Sequence, residues 1–189
     1  MKPLMKHKIS KKLYSILLVV VLSCLLIGIG FIGKQYAEES NRGGSGIEII
    51  RAIDGDSAVV SVDGHSDEAR LIGIDAPEMG QFPWGLKAKR HFEDLIFRSS
   101  GKPSIEYDVE RRDRYGRLLA YIRTGDGRLV NSSMLRDGYA VLFTVPPNVR
   151  YVKEFREEQT YAREQRLGIW AKGGLKELPS DYRREHPWR

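Results

Sequence analysis

Cysteine is almost missing from this sequence: Cys24 is the only one in 189 residues. A lone thiol forms no intrachain disulfide framework and no Cys-based zinc site. Histidine is also sparse, and His7, His65, His91 and His186 show no metal-ligand spacing. Acid is absent from residues 1–37, which carry six lysines (Lys2, Lys6, Lys8, Lys11, Lys12 and Lys34). Removing those six from the 31 basic residues leaves 25 basic against 25 acidic, so the rest of the chain has no net charge. The pI near 9.4 therefore implies no general attraction between the body of the protein and a polyanion. No internal repeat is visible. Hydrophobic residues make up 41% of the chain, enough for a core, which excludes wholesale disorder.

The lysines instead frame an apolar run. Residues 13–33 (LYSILLVVVLSCLLIGIGFIG) contain no charge, and as a helix they would span roughly 30 Å, about one hydrocarbon core. With residues 1–12 as a basic n-region, the positive-inside rule predicts a cytoplasmic N-terminus and an extracytoplasmic body. The run is longer than an ordinary signal-peptide core, which favours an uncleaved signal-anchor. Cleavage at a small-residue site near Ala37, with secretion, is the alternative. Apolar residues continue from Leu25 to Ile32, which argues against lipoprotein processing at Cys24.

Residues 34–46 end in the polar, glycine-rich stretch EESNRGGSG and read as a flexible linker. From Ile47 the pattern becomes strand-like. Ile47–Ile53, Ser57–Asp63 and Glu68–Ile74 are separated by the turn signals Asp54-Gly55 and Asp63-Gly64, predicting a three-strand meander. A helix is predicted from Pro83 to about Arg98, with Ala88, Phe92, Leu95 and Ile96 on one face. Two further strands are predicted at Ile105–Glu110 and Arg117–Thr124, and helices at about Val130–Asp137 and Tyr151–Arg166. Residues 172–189 read as a polar, loosely held tail. Five strands and about three helices predict a mainly β fold with α (α+β), a Greek-key barrel of the OB type, over residues 47–171.

Chemistry concentrates at two acidic clusters, Asp54-Gly55-Asp56 and Asp75-Ala76-Pro77-Glu78. Strands one and three of a meander run in the same direction, so both clusters fall at the same end of the sheet. Asp56, Asp75 and Glu78 can therefore converge there. Such carboxylates, with nearby backbone carbonyls, suit a hard cation such as Ca²⁺. Asp is also a common turn residue, which suffices to explain the first cluster taken alone. Arg70 and Arg117 lie on strands three and five. Either alone reads equally as a solvated strand residue. Beside a metal, two guanidinium groups could bind phosphate oxygens and stabilise a five-coordinate phosphoryl transition state.

Three segments, Ile53-Asp54-Gly55-Asp56-Ser57, Arg70-Leu71-Ile72-Gly73-Ile74-Asp75-Ala76-Pro77-Glu78 and Asp113-Arg114-Tyr115-Gly116-Arg117-Leu118-Leu119-Ala120-Tyr121, resemble the signature segments of the staphylococcal nuclease (thermonuclease) family, in the family's order. Leu167-Gly168-Ile169-Trp170 is similar to its usual end. The resemblance implies an OB-fold, Ca²⁺-dependent endonuclease acting on DNA and RNA and leaving 3′-phosphate ends. It assigns Asp56 and Asp75 as calcium ligands with the Ala76 carbonyl, and Glu78 as general base. Arg70 and Arg117 would hold the scissile phosphate, and Arg114 and Tyr115 would contact the nucleotide's terminal phosphate.

The chain also departs from the family. The loop Met79-Gly80-Gln81-Phe82 is short and lacks lysine, and Tyr139–Pro147 is one residue short where the family places a base-stacking tyrosine. Phe143 stacks on a base there or packs into the core. A non-catalytic nucleic-acid-binding module is the competing reading, and a surface domain merely stabilised by calcium a third. The acids and arginines of the catalytic set all remain in place, which favours the enzyme. No protein partner is evident, and a monomer is expected.

Overall fold

The two Asp-Gly turns fold the first part of the domain into an antiparallel meander. β1 (Ser45–Ala52) pairs with β2 (Ser57–Val62), and β2 pairs with β3 (His65–Leu71). β5 (Ser104–Glu106) and β6 (Leu118–Arg123) extend it, with β6 parallel to β3 and antiparallel to β5. β5 returns to β1 through Ser45↔Ile105 and Gly46↔Ser104, closing a five-stranded barrel in the order β1-β2-β3-β6-β5. The computed structural model from which these elements are taken describes residues 45–187.

Strand alternation fills the barrel. Ala58, Val60, Ala69, Leu71, Ala120 and Ile122 are all buried, while Arg70 and Leu119 between them are only partly covered. The predicted Glu68–Ile74 strand ends earlier, at Leu71. Gly73 adopts φ +81, and a side chain there would collide with the Phe155 ring. This bend redirects the chain into β4 (Ile74–Asp75), which pairs with β7 (Val141–Leu142) in a separate two-stranded sheet. The break at Gly73 thus aims Asp75.

α1 (Trp84–Phe97) buries Gly85, Ala88, Phe92, Leu95 and Ile96, the helical spacing read from the sequence. It packs on β1 and on α2 (Val130–Arg136). α3 (Val152–Glu164) covers α2 and buries Phe155 and Ala162. A short 3₁₀ turn follows at Gly168–Trp170. The predicted strand Ile105–Glu110 is shorter than expected: pairing with β6 stops at Glu106, and Glu110 is held instead by the Asn148 carboxamide, which accepts from Glu110 N (2.8 Å) and donates to Glu110 O (2.9 Å).

Two expectations change. About three helices were predicted, but the described residues hold four, because the tail forms α4 (Pro179–Glu185). The linker predicted to reach residue 46 stops short of it, since Ser45 and Gly46 already belong to β1. The basic segment 1–12, the apolar segment 13–33 and the rest of the linker lie outside the described residues. Among the described residues no helix is long and apolar enough to cross a membrane.

Asn131, fully buried on α2, ties the bend after β3 to β6. Its Nδ2 donates to Ile72 O (2.8 Å) and Ala120 O (3.4 Å), and its Oδ1 accepts from Ile122 N (3.1 Å). Asn131→Ala leaves these buried groups unpaired and should lower unfolding free energy by about 2–4 kcal/mol. The readout is a lower urea midpoint at unchanged m-value. A loss under about 0.5 kcal/mol, the usual range for surface substitutions, would mean the amide is not holding the bend.

Candidate active site

The β1–β2 turn and the end of β4 bring two carboxylates together at one end of the barrel. Asp56 and Asp75 are 6% and 1% exposed, and the Arg70 guanidinium spans them, with Nη2 at 3.2 Å from Asp56 Oδ2 and 3.3 Å from Asp75 Oδ1. Arg70 Nη1 donates to Leu71 O (2.8 Å) and Ile74 O (2.9 Å), so the bend after β3 fixes the arginine as well. The Ala76 amide donates to Asp56 Oδ2 (2.6 Å), laying the backbone at Ala76 against the same carboxylate. Asp54 has a different job: its Oδ1 accepts from Asp56 N (3.0 Å), an Asx-type turn contact.

Glu78 follows on the loop into α1. Its amide donates to Gln81 Oε1 (2.9 Å), and Gln81 N donates back to Glu78 O (2.8 Å), closing a tight turn. Arg183 of α4 joins this cluster. Nη1 and Nη2 donate to the two Asp75 oxygens (3.0 and 2.8 Å), and Nη1 also to Glu78 Oε1 (2.6 Å). Asp56, Asp75 and Glu78 therefore face two guanidinium groups, Arg70 and Arg183.

Arg117 stands apart from this cluster. In the parallel β3–β6 register Arg70 is opposite Leu119, so Arg117, two residues earlier, shares the outward face with Arg70 and Glu68. Asp113 holds it: Oδ2 accepts from Arg117 Nε (2.8 Å), and Oδ1 from its backbone amide (3.0 Å). Arg117 Nη1 is 3.8 Å from Glu68 Oε1. Arg114 and Tyr115 lie on the exposed turn just before. Arg114 Nη2 donates to Tyr115 Oη (2.6 Å), and the guanidinium groups of Arg114 and Arg117 lie 4.8 and 5.6 Å from the Tyr115 ring centre. Phe143 follows β7, its amide donating to Gly73 O (3.0 Å), and is 43% exposed. It lies outside the core, just past the strand beside the one that ends in Asp75.

Among the described residues no three or more His, Cys, Asp or Glu side chains form a ready-made metal cluster. The oxygens that do converge are those of the Asp56 and Asp75 carboxylates, with the Ala76 amide laid against Asp56. They fit a hard divalent cation that completes its shell with water. Electrostatics agree, because Asp56 is under-compensated. Burial pushes its carboxyl up to about 7, with Asp54 and Asp75 adding to the rise, against Arg70 and the Ala76 amide. A cation at this point would favour the ionised form.

Two participants escaped the sequence reading. Gln81, in the loop distinguished only by its shortness, ties Glu78 to the tail, since its Nε2 donates to Glu177 O (3.0 Å). Arg183 sits in a segment read as loosely held. Pro179 at the first helical position, Asp181 in the first turn and Arg183 and Arg184 in the last are helix-boundary signals that could have revealed α4.

Residues 68–172 match the family described as Staphylococcal nuclease homologue. The SPbeta prophage-derived endonuclease YokF of Bacillus subtilis (strain 168) is 36% identical over 135 residues, covering 68% of this chain and 45% of that protein. Endonuclease YncB of the same strain is 37% identical over 135 residues, covering 68% of this chain and 63% of that protein. The match thus spans less than two thirds of these two relatives. A thermonuclease of Staphylococcus hyicus is 31% identical over 174 residues, covering 85% of this chain and 99% of that protein.

The raised Asp56 pKa sets a stability window. An unfolded aspartate ionises near 3.9, whereas folded Asp56 holds its proton up to about 7. Between those values the folded state binds the extra proton, so stability falls as pH rises through the window. Metal-free protein should therefore lose melting temperature relative to Asp56→Asn between about pH 4 and 7, the gap levelling off above. A gap independent of pH would show that Arg70 already compensates the charge in full.

Proposed function

Because the chain belongs to the staphylococcal nuclease family, we propose that it is a Ca²⁺-dependent endonuclease that hydrolyses phosphodiester bonds of DNA and RNA. One observation carries the reading: Asp56, Asp75, Arg70 and Glu78, which fall on the family's signature segments, come together at one end of the barrel. We read that barrel, with its parallel β3–β6 pairing and β5 closing on β1, as an OB-type Greek key.

In this reading Asp56 and Asp75, with the Ala76 carbonyl, hold calcium, which supplies positive charge to the phosphate. Glu78 orients a water and takes its proton as the water oxygen bonds to phosphorus. The P–O5′ bond breaks, the 5′ oxygen is protonated by solvent, and a 3′-phosphate remains. Arg70 is already anchored by two backbone carbonyls, so it meets the added charge of the transition state with little reorganisation. Arg117, held by Asp113 on the same outward face, is the second phosphate arginine. Arg114 and Tyr115 lie beyond it for the nucleotide's terminal phosphate, and Phe143 offers an exposed ring to a base.

The apolar segment 13–33 and its flanking lysines support an extracytoplasmic body, tethered by an uncleaved helix or released after cleavage near Ala37. Resistance of the cell-associated protein to alkaline carbonate extraction is the expected result for the tether. Recovery from the medium with a new N-terminus near residue 38 would instead establish cleavage.

Single- and double-stranded DNA and RNA, incubated with Ca²⁺ or with chelator, test activity, metal and substrate together. Cleavage should need calcium. Glu78→Gln and Arg70→Ala should each lower kcat by about 10²- to 10⁴-fold with the circular dichroism spectrum unchanged. If both variants cut at the parental rate the mechanism is wrong, and shifted but uncut DNA would identify a binding module instead.

A further inference from the structure

α4 is docked, not loosely attached. Pro179 is buried, and the Gln81 carboxamide reaches the chain just before the helix, at Glu177. Tyr182 stacks on His186 (4.2 Å between ring centres), and its hydroxyl lies so close to Gly80 that any side chain there would collide with it. The short loop after Glu78 and the tail are thus fitted to each other. What the helix delivers is one charged group, Arg183.

Its placement is specific. The fork of Arg183 grips both oxygens of Asp75, and one of its nitrogens also reaches Glu78 Oε1. Asp75 Oδ1 receives Arg70 as well. The proposed calcium ligand therefore has a guanidinium donor on each oxygen, and the proposed base has one of its two oxygens taken. Calcium needs such oxygens at about 2.3–2.6 Å. A guanidinium at hydrogen-bond distance from the same atoms puts a positive charge where the ion must enter.

We propose that Arg183 is a built-in cation competitor, standing in for the metal at Asp75 and Glu78, so that docking of α4 and loading of calcium exclude each other. Resting on the reading of Asp56 and Asp75 as calcium ligands, this makes the tail a strap that calcium, assisted by the nucleic-acid phosphate, must lift. A competitor on the same chain acts at an effective concentration of the order of millimolar, so it sets a calcium threshold rather than abolishing binding.

The test uses the full-length protein in detergent without nucleic acid. Calorimetric titration with calcium chloride should give Arg183→Gln a Kd about tenfold lower than the parent, the scale of one charge-assisted contact removed. Arg183→Lys, which keeps the charge but loses the fork, should fall between. Arg184→Gln, whose partner is Asp181, should match the parent. In the parent, saturating calcium should speed hydrogen exchange of the amides in residues 180–186. Equal or weaker calcium binding by Arg183→Gln, no calcium binding by either protein, or slower or unchanged exchange in α4 would each overturn the proposal. Cleavage is scored separately. Protein that binds calcium and frees α4 yet leaves DNA intact keeps the strap and loses the nuclease, whereas calcium-dependent cleavage with no Arg183 effect does the reverse.

Discussion

Two aspartates buried side by side at the end of a small barrel constrain everything around them. Unpaired charges in such a place cost several kcal/mol each, so the fold must bring cations to them. Arg70 answers from the outward face of β3, reaching both carboxylates from the strand that leads to Asp75. The same guanidinium ties down Leu71 and Ile74 carbonyls at the bend. The site and the break in the strand therefore form one unit, and neither can shift without the other.

Around this pair, charge is sorted with little waste. Asp54 is spent on its turn and Asp113 on Arg117. What remains is Asp56, whose ionisation is raised chiefly by burial and which an external ion drawn to hard oxygens can meet. Arg183, carried by the chain's own last helix, meets Asp75 and Glu78 instead.

Much of this was legible from residue order. Two Asp-Gly turns imply a meander, a meander implies that Asp56 and Asp75 share an end, and the helical spacing of Ala88, Phe92, Leu95 and Ile96 marks a buried face. The misses have physical causes. β4 and β7 are two residues each, too short to carry a period. Ser45 and Gly46 join β1 by pairing with β5, in a stretch whose glycines and polar residues read as linker. Beyond Glu106 the predicted strand leaves its ladder, and Glu110 is bound by an amide 38 residues away in sequence. Arg183 sits in a segment of mixed charge that reads as solvated, and its meaning depends on a partner 108 residues earlier.

The closure between β1 and β5 has a mechanical side. Two residue pairs, both at the first residues of β1, join the ends of the barrel. Any pull transmitted along the preceding chain enters the domain at those pairs before it reaches the longer β1–β2 ladder. The seam is thus the first joint loaded in tension, although Asp56 and Asp75 lie beyond the far end of β1. A domain trimmed to begin at Ile47 would lose both pairs and keep only the bond from the Ile47 amide to the Pro103 carbonyl (3.1 Å), leaving the latch weakened and β5 a more open edge for another chain to pair with.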